Sequence, residues 1–135
     1  MKYLKAALFG AVGSLAMFVL MQTAIGQGLA PFNVPPSAAF LISLGLPAKP
    51  LALILHFGYG AALSVLFAAA LKDRASVGSG LLFALGVWLL MMLVLSPVIG
   101  WGIAGFGAEA QLLAEEHPLF LAPGPRYAMA TLVLH

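Results

Sequence analysis

Residues 51–71 read LALILHFGYGAALSVLFAAAL, and the charged turn Lys72, Asp73, Arg74 follows at once. A helix of about 20 such residues rises about 30 Å, the thickness of a bilayer's hydrocarbon core. The apolar residues run on without the period-two alternation of a barrel strand, so the stretch predicts a membrane-spanning helix. One imidazole, His56, interrupts it. A second, His135, closes LVLH at 132–135, in a chain with only three histidines.

The rest of the sequence agrees with a lipid solvent. The chain has 135 residues, 63% hydrophobic and 7% charged, with a mean hydropathy of +1.09. Soluble domains carry about 25% charged residues. Six basic and four acidic side chains are too few to clothe a soluble surface of this size. The length fits one domain, residues 1–135. Without cysteine there is no disulfide framework, thiolate metal site or cysteine nucleophile. The small positive surplus lies at helix ends, which bears on membrane orientation and gives no nucleic-acid patch.

Working outward, the predicted fold class is all-α, a transmembrane helical bundle of about four spans. The first covers residues 4–29 behind Lys2 and Lys5. Gly28 and Ala30 are placed as a signal-peptide cleavage site requires, but the apolar run exceeds the usual 7–15 residues, which favours a retained helix. Residues 31–50 hold five prolines, which forbid a continuous helix and leave a short one at 37–44 capped by Ser37, at the membrane interface. The third span covers 77–99, with Pro97 expected to kink or end it. GWGIAGFG then suits a loop at headgroup level, with Trp101 as an anchor. Residues 107–125, with Glu109, Glu115, Glu116 and His117, form a second external connection. A fourth span begins at Arg126. Its ten residues to His135 rise only about 15 Å, half a crossing, so the expectation is a span incomplete in this chain.

Lys2, Lys5, Lys72 and Arg74 fall on one side of this arrangement, Lys49 and Arg126 on the other. The positive-inside rule makes the N-terminus cytoplasmic in a multi-pass protein of the inner membrane, with both proline-rich connections outside. The halves also repeat weakly: each offers a glycine-containing apolar helix, a proline-rich connection and a helix opening toward LILH or LVLH. That pattern reads as two hairpins.

His56 and His135 then lie in the outer leaflet, roughly 8 and 13 Å deep at 1.5 Å per residue. An ionisable side chain in lipid turns inward to a partner or a pathway. One reading has neutral rings hydrogen-bonded inside the bundle. A second has His56 and His135 as axial ligands of haem b. A third is a Cu or Zn site from His56, His117 and His135, assisted by Glu115 or Glu116. Glu115 and Glu116 diverge on a helix and read as a solvated face, not as a paired acid and base. Met17, Met21, Met91 and Met92 could suggest copper(I), but methionine in an apolar helix is ordinarily packing. Helix-packing positions are Gly10 and Gly13 in the first span, Gly58, Gly60 and Ser64 in the second, and Gly80 and Ala84 in the third.

The glycine-containing first helix, PFNVPP, LILHFGYG and GLLFALGVWLLMMLVLSPVIGWG together resemble a family of small bacterial four-helix membrane proteins of unknown function. The resemblance implies four spans, the fourth longer than here, and a histidine opening the second; the family supplies no activity, so no catalytic residue carries over. With no nucleophile and base in view, the expected function is non-enzymatic: an accessory or scaffold subunit, homo-oligomeric or joined to other membrane subunits. The alternatives are a redox or metal protein using the outer histidines, and a small transporter. Only Gln22, Thr23, Gln27 and a few serines could line a polar route for the latter.

Overall fold

The computed structural model describes residues 1–135, and the chain is all-helical. Three helices are long and apolar enough to cross a membrane: α1 (Lys2–Gly26), α3 (Leu51–Leu71) and α4 (Val77–Ile99). Three shorter ones, α2 (Pro36–Ser43), α5 (Ala108–Gln111) and α6 (Arg126–Leu134), belong to or follow the two connections.

Local chemistry sets the helix ends. Pro36 opens α2 at its first turn, where the missing N–H costs nothing, and Ser37 makes no capping bond, so the expected Ser37 cap is corrected. Ser76 caps α4: its hydroxyl accepts from the Ser79 N–H at 3.2 Å, and the Ser79 hydroxyl accepts from the Ser76 N–H at 2.8 Å. Pro97 ends α4 less abruptly than expected. Lacking an N–H, it cannot bond back to residue 93, and the helix widens beforehand into a π turn over Met91–Leu95, in which the Ser96 N–H reaches the Met91 carbonyl. Gly100, at φ 94°, then stops it.

α1 and α3 pack antiparallel and close. A Cβ on Gly10 would overlap the Gly60 carbonyl and the Ser64 side chain, and one on Gly60 would overlap Ser14. Small residues let the backbones meet where lipid removes the hydrophobic drive between helices. A Cβ on Gly13 or Gly58 would meet nothing within 4 Å, one on Gly80 would come no nearer than 3.9 Å to the Phe67 ring, and Ala84 is half-buried. α4 stands apart from this pair, meeting α3 at Phe67 and Phe83, whose ring centroids are 5.2 Å apart. Between Val77 and Leu90 it buries no residue.

The core sits at one end of the molecule. The two connections, the first expected at the membrane interface and the second as a separate external connection, fold onto each other as a cap. Phe32 pairs with Leu121 in a single antiparallel bridge, and the Ala122 N–H donates to the Pro31 carbonyl at 2.8 Å. The Asn33 amide donates to the carbonyls of Glu115 and His117. Trp101, expected as a headgroup anchor, is fully buried. Its ring lies 6.0 Å from Phe32 and 5.1 Å from Tyr127, and its Nε1–H donates to the Leu119 carbonyl at 2.9 Å. The tight loop around it needs Gly102, at φ 70°, whose Cβ would collide with the backbone of Gly107.

Three substitutions test this packing. Trp101→Ala should cost about 3–5 kcal/mol in denaturant titrations of the micellar protein, because the cap cannot close over the void. Gly10→Ala should lose about 1–3 kcal/mol, since a backbone atom must move. Gly13→Ala should stay within about 0.5 kcal/mol.

Candidate functional site

Beneath the cap, α1, α2, α3, α4 and α6 enclose a partly open cavity of about 230 Å³. Met17 and Met21 reach it from α1, Ser37 and Phe40 from α2, Leu55, His56 and Tyr59 from α3, Met91 and Leu95 from α4, and Thr131, Leu134 and His135 from α6. No carboxylate, lysine or arginine lines it.

The fold delivers the two histidines by different routes. His56 is carried on α3 where that helix crosses α1, buried against the Phe18 ring at 5.8 Å. Its Nε2 lies 2.8 Å from the Ser14 carbonyl. His135 arrives at the end of α6, which Tyr127 anchors in the cap and which the Trp88 Nε1–H, donating to Thr131 Oγ1 at 3.1 Å, ties to α4. Its Nδ1 lies 2.8 Å from the Thr131 carbonyl.

A carbonyl oxygen only accepts, so the facing nitrogen must carry the proton. His56 is the Nε2–H tautomer and His135 the Nδ1–H tautomer. In the neutral rings Nδ1 of His56 and Nε2 of His135 keep a lone pair, and neither makes a hydrogen bond. Nor is either sealed off: Tyr127 Oη, beside Ser96, is the one enclosed side-chain polar atom without a partner. Ser96 itself donates to the Gly102 carbonyl at 2.8 Å.

His117 does not join them. It lies exposed in the second connection, where its Nδ1 accepts from the Leu119 N–H at 3.1 Å. No three side chains among His, Asp and Glu gather to hold a metal ion. The expected triad of His56, His117 and His135 with Glu115 or Glu116 is thereby corrected, because the second connection leaves His117, Glu115 and Glu116 exposed and away from the cavity. Haem b fits no better as the helices stand. Sites for drug-sized ligands run from about 300 to 1,000 Å³, and a macrocycle belongs high in that range. Copper(I) retains a chemical case, since soft thioethers of Met17, Met21 and Met91 face the same space as two imidazoles. Gln22, Thr23 and Gln27 are exposed and outside the cavity.

Ser37, Phe40, Tyr59 and Ser14 take part without having been singled out as site residues. They are ordinary residue types whose role depends on where α2 and α1 pack. Comparison with family models, curated proteins and solved structures returns no match to this chain.

The tautomers are directly observable. Imidazole ¹⁵N spectra of the protein in nanodiscs should show His56 protonated at Nε2 and His135 at Nδ1. The same tautomer at both positions would contradict this geometry.

Proposed function

We propose that the chain is a small non-enzymatic integral membrane protein of the bacterial cytoplasmic membrane, acting as an accessory or scaffold subunit of a membrane assembly. The observation that carries this reading is the state of α4. Over Val77–Leu90 it has no buried residue, and Leu82, Gly86, Leu89 and Leu93 form one exposed stripe along it. Gly86 has nothing near it. A glycine among leucines gives a second helix room to approach, as Gly10 and Gly60 do for α1 and α3. The occupant is a helix of another membrane subunit or of a second copy.

On this reading the N-terminus faces the cytoplasm, and the charge distribution supports it. The antiparallel α1–α3 contact puts Lys2 and Lys5 at the same end as Lys72 and Arg74, while Lys49 and Arg126 flank the cap. α6 supplies a fourth, half-length membrane segment, and the chain reads as two hairpins in tandem. Residues 25–32, IGQGLAPF, and 99–106, IGWGIAGF, agree at five of eight positions. Gly28 at φ 68° and Gly100 at φ 94° each stop the preceding helix in a left-handed turn, with the next N–H bonded five residues back, Leu29 to Ala24 and Trp101 to Ser96. His56 and His135 are then corresponding residues.

Single cysteines at Leu82, Gly86, Leu89 and Leu93 should cross-link to a neighbouring subunit in native membranes, while cysteines at half-buried Phe83 and Val87 should not. Equal reactivity around the helix, or no adduct at any stripe position, would sink the scaffold reading. Adducts of twice the chain's mass would assign the neighbour as a second copy.

A further inference from the structure

The cavity beneath the cap has a size, a lining and a hydrogen-bonding character that together specify a ligand. Its volume is about 230 Å³, whereas an apolar cavity of about 150 Å³ holds a benzene ring. The space therefore suits one substituted ring or two fused rings. The walls are chiefly apolar, with the Phe40 and Tyr59 rings and the pliable side chains of Met17, Met21 and Met91. With no charged group in the lining, an ionic ligand would find nothing to repay its desolvation.

The polar groups narrow the class further. Each imidazole spends its N–H on a carbonyl of the protein, Ser14 for His56 and Thr131 for His135. What remains to a visitor is one acceptor nitrogen from each ring, beside the Ser37 and Tyr59 hydroxyls, which donate or accept. A molecule that brings its own O–H donors complements the two nitrogens, and the hydroxyls meet its oxygens. A ring with no donors would leave both nitrogens unpaired, and an unpaired polar group away from water is costly. The cavity is also partly open and lies among helices that span the apolar layer, so a lipid-soluble molecule can reach it.

We propose that the cavity between His56 and His135 binds a lipid-soluble aromatic alcohol of one or two fused rings, a phenol or hydroquinone, with the two imidazoles accepting its hydroxyl protons in hydrogen bonds. The proposal is one of binding alone. It stands apart from the scaffold reading, since it concerns the interior beneath the cap and not the α4 stripe.

The test uses the full chain in lipid nanodiscs, with empty nanodiscs as baseline, under anaerobic conditions. Titration calorimetry with 1,4-naphthohydroquinone should show saturable binding of one molecule per chain. 1,4-Dimethoxynaphthalene, the same rings without donors, should bind at least tenfold more weakly. His135→Leu should weaken the hydroquinone about tenfold and leave the dimethoxy compound unchanged. Met91→Phe should fill the chamber and abolish both, with near-ultraviolet circular dichroism of the buried Trp101 reporting that the cap is folded. Equal affinity for the two probes, equal loss of both in His135→Leu, or no saturation above empty nanodiscs overturns the proposal. So does copper(I) uptake that excludes the hydroquinone, which would assign the cavity to a metal.

Discussion

The packing of Trp101 between Phe32 and Tyr127 is the contact on which the rest of the molecule depends. The three rings come from the two connections and the first turn of α6, and all three are buried. Aromatic side chains bury about 150–250 Å² each, and their edge-to-face contacts add about 0.5–1.5 kcal/mol apiece. No other part of the chain has comparable burial, because the long helices turn most of their large side chains outward. Remove the cluster and α6 loses its anchor in the cap, leaving the Trp88–Thr131 hydrogen bond as its named tie beside the cavity that His135 shares with His56.

That arrangement follows from how differently the two solvents act. Among lipid tails, apolar side chains gain nothing by leaving for one another, and helices associate through close backbone approach. The Gly10–Gly60 crossing is such a contact, and it holds α1 to α3. Within the cap, chain without regular helix must satisfy its own peptide groups. It does so through the Phe32–Leu121 bridge, the Asn33 amide and the indole of Trp101. Two modes of assembly thus meet at the level of the cavity, where α4 leans away from α3.

The histidines occupy the seam between these regions. His56 belongs to the helix pair and donates its Nε2–H to the Ser14 carbonyl of α1. His135 belongs to the capped end and donates its Nδ1–H to the Thr131 carbonyl of its own helix. Both rings therefore stay within the protein while each keeps one nitrogen uncommitted. The methionines from α1 and α4 fill space around them without competing for hydrogen bonds.

By itself the sequence determined the three long helices, since about 20 unbroken apolar residues admit no other solution in hydrocarbon. It also marked His56 and His135 as the polar groups to explain, and it offered Gly10, Gly60 and Ser64 as close-packing positions. It could not separate them from Gly13 and Gly58, because identical glycines differ only in which face of the helix meets a neighbour. Nor could it show that the proline-rich connections would carry the core or that His117 would be led away from the other imidazoles. Those outcomes were decided by the tertiary structure. The cap is held by contacts between residues such as Phe32, Trp101 and Leu121, which are far apart in the chain and obey no local period.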